Sequence, residues 1–246
     1  MKLLLLGTTG YHPSDRRHTA CLLLPEQGIM LDAGTAMYRA GRFLETSELD
    51  IFLTHAHLDH VIGLTFLLDL AFVHPMGRVT VHAEPSKLAA LDEHLFAEAL
   101  FPKRPDCEFR PLEREVKLAG GGVLSHFPVA HPGGAVGFRL DWPGHSLAYV
   151  TDTVARPDAD YLQKIRGVDL LVHECYFPDS LAAWAEKTGH SRTTPVAQMA
   201  KAAGAKHLIL VHLNPLATED DPVGLATARA IFPRTDLGED LMEVEF

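Results

Sequence analysis

Short apolar runs punctuated by Gly, Pro and Asp fill the first part of the chain. Residues 2–6, 19–24, 28–32 and 49–54 each have strand length and turn-type boundaries, so each predicts a β-strand. A longer apolar stretch, residues 61–72, predicts a buried helix, and residues 78–82 a further strand. Residues 85–101 predict a helix whose Leu88, Leu91, Leu95 and Ala99 share one face. The second half repeats this style without repeating the sequence. Strands are expected at 123–129, 137–140, 146–151, 169–173 and 206–211, and helices at 158–165, 194–203 and 222–231. Gly204 is a suitable C-terminal stop for the second of these helices. Many strands with helices interleaved predict sheets covered by helices, an α/β (α+β) architecture rather than a pure sandwich. The Pro-rich segment 103–111 is too short and too apolar in its flanks to mark a boundary, so residues 1–246 are read as one domain.

Composition changes this picture little, but charge narrows the partners. Hydrophobic residues make up 47% of the chain and charged residues 22%, values that allow a sizeable core and do not indicate disorder. The net charge of −10, with no Lys/Arg-rich run, disfavours binding a long nucleic acid. Small anionic substrates stay open, because bound cations dominate a local field. Cys21, Cys107 and Cys175 are widely spaced and form no disulfide framework, which fits a reducing compartment. The apolar stretch at residues 3–6 is too short for a signal peptide, and no window approaches a membrane span. The cytoplasm is the expected location, with no membrane partner.

The chemistry concentrates in Thr54-His55-Ala56-His57-Leu58-Asp59-His60, directly after a predicted strand. His55 and His57, two apart, point to one side while the chain stays extended; Asp59 and His60 fall at a helix start and can face a neighbouring position. Four ligand-type side chains in so short a segment are hard to explain as structure, since buried polarity without partners is costly. Imidazole and carboxylate donors suit zinc, at ~2.0–2.2 Å, and manganese or iron also accept them.

This segment resembles the H-x-H-x-D-H signature of the metallo-β-lactamase superfamily, and further motifs follow in order. Asp32, in Ile29-Met30-Leu31-Asp32-Ala33-Gly34, is similar to the family's early Asp-x-Gly, which supports the site from behind its ligands. His131, Asp152 and His212 each follow a strand-like run and match the later ligand positions. The resemblance implies a four-layered αββα sandwich: two mixed sheets with helices on both outer faces. It also implies two divalent metal ions, zinc foremost, one held by His55, His57 and His131, the other by Asp59, His60 and His212, with Asp152 bridging. His126 and His207 are expected to be structural, and His173 is a minor candidate.

Paired cations lower the pKa of a shared water towards about 7 and polarise the bond under attack; Asp59 is placed to orient that water or accept its proton. Glu174, in Leu170-Leu171-Val172-His173-Glu174-Cys175, and His190, in Gly189-His190-Ser191, resemble two motifs of the ribonuclease Z branch. There the glutamate orients a histidine that contacts the scissile phosphate and assists the leaving oxygen; a surface Glu and a helix cap at Ser191 are the plainer alternative. The chain departs from that branch in two respects. The interval from His131 to Asp152 is too short for a tRNA-clasping arm, and Leu213-Asn214-Pro215 follows His212 in place of Ser-x-Arg-Tyr. The chain thus more closely resembles the arm-less phosphodiesterases, which act on small or cyclic phosphodiesters and whose relatives suggest a homodimer. Hydrolysis of a lactone or thioester, RNA 3′-end cleavage without the arm, and a metal-binding protein without catalysis are the competing readings. Arg139 and the Arg16–Arg17 pair are weaker candidates for a substrate phosphate, and residues 95–101 for an apolar flap, core or dimer contact.

Overall fold

The computed structural model describes residues 1–246. Along the chain run β1 (Lys2–Gly7), β2 (Cys21–Leu24), β3 (Ile29–Leu31), β4 (Glu48–Phe52), β5 (Arg78–Ala83) and β6 (Glu108–Pro111). Then come β7 (Glu115–Lys117), β8 (Val123–Val129), β9 (Ala135–Trp142), β10 (His145–Val150), β11 (Leu170–Glu174), β12 (His207–Val211), β13 (Thr235–Leu237) and β14 (Met242–Glu245). They form two seven-stranded mixed sheets, ordered β14-β1-β2-β3-β4-β5-β6 and β13-β12-β11-β10-β9-β8-β7.

Strand alternation explains why the runs are apolar throughout. Leu3 and Leu5 point inward, where they meet Leu22, Phe52, Phe138 and Tyr149 in a layer between the sheets. Leu4 and Leu6 point outward, into a second layer with Ile51, Met37, Leu64 and Leu88. On the other sheet, Leu147 and Tyr149 face the shared layer, while Ala148 and Val150 face Val196, Met199 and Ala200. A strand buried on both faces needs apolar residues at every position, and each fully buried leucine contributes roughly 1.5–3 kcal/mol. Helices α1 (Leu58–Val61), α2 (Leu67–Val73) and α3 (Pro85–Ala90) follow in the first half, and α4 (Ala182–Thr188), α5 (Thr193–Ala203) and α6 (Leu225–Ile231) in the second. Three apolar layers between four structural ones give the αββα sandwich expected from the sequence.

The helices depart from expectation where the backbone is needed elsewhere. The stretch 61–72 is not one helix: residues Ile62–Phe66 tighten into a 3₁₀ turn between α1 and α2. The Gly63 N–H donates to Ala33 O, and a Cβ on Gly63 would lie 2.4 Å from Gly34 O, so this turn is pressed against the Asp32 loop. The 85–101 helix stops early, α3 passing into a wide π turn over Leu91–Leu95. The wider turn buries Leu91, Leu95 and the following Phe96 together, while Ala99 and Leu100 are exposed, so only the start of the 95–101 segment is core and Ala99 does not share the buried face. Only Asp160–Gln163 of the 158–165 segment is helical, as a 3₁₀ turn. The short strands β6, β7, β13 and β14, at or next to the sheet edges, and helix α4 carry too little apolar pattern to be expected from sequence. No helix is long and apolar enough to cross a membrane.

Topology sets the site. β3, β4 and β5 are parallel, as are β10, β11 and β12, so their C-terminal ends gather at one edge of each sheet. The Val136 N–H donates to Thr54 O at 3.0 Å and joins the two edges directly.

Candidate metal centre

Past β4 the chain leaves the sheet with His55 buried and His57 exposed, and α1 begins at Leu58, which places Asp59 and His60 in its turn. His131 follows β8, Asp152 follows β10 and His212 follows β12. The seven side chains fall into two groups: His55, His57, His131 and Asp152 in one, Asp59, His60 and His212 in the other, each with ligand atoms within 4.8 Å of one another. Asp152 faces both. Its Oδ1 lies 3.9 Å from His55 Nε2 and 3.8 Å from His131 Nε2, while its Oδ2 lies 3.1 Å from His60 Nε2 and 3.4 Å from His212 Nε2.

The donors are short of partners. His55 Nε2 is buried without a hydrogen bond. His60 Nε2 and His212 Nε2 approach to 3.2 Å, as do His131 Nε2 and His57 Nδ1. Crowded, buried nitrogens that cannot all be satisfied by one another are costly unless their lone pairs meet a cation. Imidazole and carboxylate together suit divalent zinc, manganese or iron, so the residues present fit such ions. Burial pushes His55 well down and His131 down to about 4, leaving both neutral as a ligand must be. Burial raises Asp152 and Asp59, but the surrounding histidines, His212 and His60 foremost, outweigh it and hold both carboxyls well below their usual range. For His60, burial is outweighed by Asp152, Asp59 and Asp32, which raise its pKa well above the ordinary value.

Asp32, buried at the end of β3, organises this ring of groups. It accepts from Thr54 N–H at 2.8 Å, Thr54 Oγ1 at 3.0 Å, Tyr149 Oη at 3.0 Å and His60 Nδ1 at 2.8 Å. With Nδ1–H committed to Asp32, His60 turns Nε2 towards Asp152 and Asp59, the arrangement that fixes a ligand's tautomer. Asp32, Asp152 and His212 have φ of 58°, 51° and 54°, a left-handed conformation costing about 1–3 kcal/mol each outside glycine. The loop after β1 closes the other side. A Cβ on Gly10 would sit 2.2 Å from His212 Cε1, so only glycine lets the backbone lie against that ring, and the next N–H, of Tyr11, donates to Asp59 Oδ2 at 2.7 Å.

Glu174 and His190 stand beside the cluster. His190 Nδ1 lies 3.3 Å from both Glu174 oxygens, and a His190 ring nitrogen lies within 4.8 Å of ligand atoms of Asp152 and His212. Glu174 is itself fixed by the N–H groups of Thr153 and, at 2.9 Å, Ser191. Burial opposes a charge on His190, but Glu174 outweighs it and the pKa is pushed up to about 9. Ser191 does not cap α5: its Oγ donates to Thr153 O at 2.6 Å and accepts from Ala155 N–H at 2.8 Å.

The remaining candidates lie elsewhere. Arg139 is spent on Asp141 and the carbonyls of Lys164 and Arg166, Arg17 is buried against Thr8 and Gly238, and Arg16 pairs with Asp220 and Glu239. None of the three reaches the cluster. His173 is buried between Tyr161 Oη and Glu174 O, His207 pairs with Asp236, and His126 stays within β8. Sequence reasoning missed Tyr149, Gly10, Tyr11 and Tyr176. Only Gly10 carried a signal, standing in a Gly-Thr-Thr-Gly turn directly after an apolar strand.

Residues 28–213 match the family model described as a beta-lactamase superfamily domain. A Ribonuclease Z of Synechococcus sp. (strain CC9311) is 44% identical, over 100% of this chain and 98% of that protein. Among solved structures, the metallo-beta-lactamase fold protein YhfI of Bacillus subtilis has a TM-score of 0.81 at 18% identity, covering 100% of this chain and 99% of that one. A diphosphatase from the PhnP family has a TM-score of 0.75 at 21% identity, covering 100% and 96%.

Proposed function

The chain belongs to the beta-lactamase superfamily and is a metal-dependent hydrolase, and from that premise we propose that it cleaves small or cyclic phosphodiesters. His55, His57 and His131 would hold one divalent ion, and Asp59, His60 and His212 a second. Asp152 would give one oxygen to each. Zinc is the first choice for these donors, ahead of manganese or iron. Ions bound there supply Lewis acidity, polarising a phosphoryl oxygen and acidifying water.

The Glu174–His190 pair beside this cluster carries the phosphodiester reading. Glu174 holds Nδ1 and leaves Nε2 for substrate, and its carboxylate favours the protonated ring. A charged imidazole attracts the phosphoryl oxygens and can donate its proton to the departing oxygen. Asp59, held by the Tyr11 N–H, would orient the attacking water. A lactone or thioester site has less need of such a cation. The three free cysteines are in keeping with a cytoplasmic setting, and the apolar layer shared by both sheets with one domain over residues 1–246.

The test compares leaving groups on protein loaded with Zn²⁺ or Mn²⁺. The wild type should hydrolyse bis-p-nitrophenyl phosphate. His190→Ala should slow diesters of ordinary alcohols by about 10²–10⁴-fold, the range for a lost general acid. It should slow p-nitrophenyl esters much less, because nitrophenolate leaves without a proton. No diester turnover with any metal, or lactones and thioesters preferred by a wide margin, would sink the reading.

RNA 3′-end cleavage is the second reading, favoured by the 44% identity to a protein named Ribonuclease Z. That alignment spans 314 positions against the 246 residues here, so the relative has segments this chain lacks. The interval from His131 to Asp152 is filled by β9 and β10 and their tight Pro143-Gly144 turn, with no arm to clasp tRNA. A precursor tRNA in the same panel should therefore be a poorer substrate than a small diester.

A further inference from the structure

The protein around the cluster ends in aromatic and aliphatic side chains that the hydrolytic chemistry does not use. Tyr11 is 75% exposed, although its own N–H is bonded to Asp59. Its φ of 63° is a rare conformation for a bulky residue, which glycine would adopt at no cost. The strain therefore serves to keep a large ring on this loop. Tyr176, after β11, stacks on His190 with ring centroids 4.6 Å apart and planes 18° from parallel. Leu58, between His57 and Asp59, is 67% exposed, and Leu216, on the turn after His212, is 76% exposed. An apolar and aromatic border beside a strongly polar centre fits a substrate with the same division.

We propose that Tyr11, anchored through its N–H to Asp59, is a specificity-determining residue that stacks on an aromatic heterocycle, so that the preferred substrates are phosphodiesters of nucleosides. This rests on the phosphodiesterase reading. The ring supplies a flat apolar face at the mouth, the phosphate sits deeper against the cluster and His190, and the sugar spans the two. Stacking of this kind tolerates any base, since every base has a π face, and contributes binding rather than bond cleavage.

The experiment compares thymidine 5′-(p-nitrophenyl phosphate) with methyl p-nitrophenyl phosphate, which share a leaving group and differ in the nucleoside. Metal-loaded wild type should favour the nucleoside ester in kcat/KM by about tenfold or more, the size of one base stack. Tyr11→Gly keeps the N–H to Asp59 and relieves the strained φ, so it should fold and retain its metal. It should lower the preference by about tenfold, chiefly through KM, and Tyr11→Phe should restore it. A wild-type ratio near one, or a ratio untouched by Tyr11→Gly, overturns the stacking role while leaving the phosphodiesterase reading intact. Hydrolysis of neither diester overturns both.

Discussion

Asp152→Ala is expected to cost more metal than any other single change. Asp152 offers Oδ1 to His55 and His131 and Oδ2 to His60 and His212, so its removal takes a donor from each proposed ion at once. It would also remove the negative charge that lets two such dications lie close together. Loss of a residue that only orients a ligand typically weakens metal affinity or activity by about 10–100-fold, so loss of a ligand shared by two ions should exceed that range. His57→Ala, which affects one group and an exposed side chain, should retain more metal than Asp152→Ala. Elemental analysis after equilibration against a fixed free-zinc buffer measures both. Two equivalents in Asp152→Ala, with turnover unchanged, would remove the bridging role.

Asp32→Ala should give the larger loss of stability, and Asp32→Asn should separate stability from metal binding. The carboxylate is fully buried and accepts from Thr54, Tyr149 and His60. Alanine strands all of these donors in the core, and breaking such a charged network costs about 3–5 kcal/mol. Asparagine keeps the volume, tolerates the left-handed backbone and can still accept from Thr54 N–H. Its amide NH₂ would then face His60 and favour the tautomer with Nδ1 as acceptor and a proton on Nε2. A proton there blocks ligation, so Asp32→Asn should keep more of its stability while losing about 10–100-fold in metal affinity. Denaturant melts in chelator, read beside zinc titrations, distinguish the two effects. Equal zinc affinity in wild type and Asp32→Asn would show that the tautomer does not matter.

The clustered residues were legible as candidate ligands because each lies shortly after an apolar strand, and parallel strands bring their ends to one edge. His55, His57, Asp59 and His60 announce themselves by density, whereas His131 and His212, among fifteen histidines, and Asp152 needed the family pattern to stand out. The supporting groups were not legible in the same way. Tyr149 looks like one more apolar strand residue, and only the packing of the two sheets brings its hydroxyl to Asp32. Arg139, Arg16 and Arg17 looked available for phosphate because nothing in sequence reveals the acidic side chains and carbonyls that occupy them. The helices failed for a related reason: the 61–72 run has helical composition, but Gly63 must press against the Ala33–Gly34 backbone. Edge strands such as β7 are short and polar outside one residue, which leaves no period to read.

The two sheets contribute to the cluster from opposite sides: His55, His57, Asp59 and His60 hang from the first, His131, Asp152 and His212 from the second. If these residues hold metal as proposed, ligands divided in this way would act as a clasp. Separating the sheets pulls the donors apart, so occupancy and cohesion are thermodynamically linked, and the free energy of filling the site is also free energy of holding the layers together. At a cation concentration a thousandfold above Kd the linkage amounts to about 4 kcal/mol, a large share of the margin by which most domains stay folded. The same groups proposed for hydrolysis would therefore make the protein's durability depend on the supply of metal.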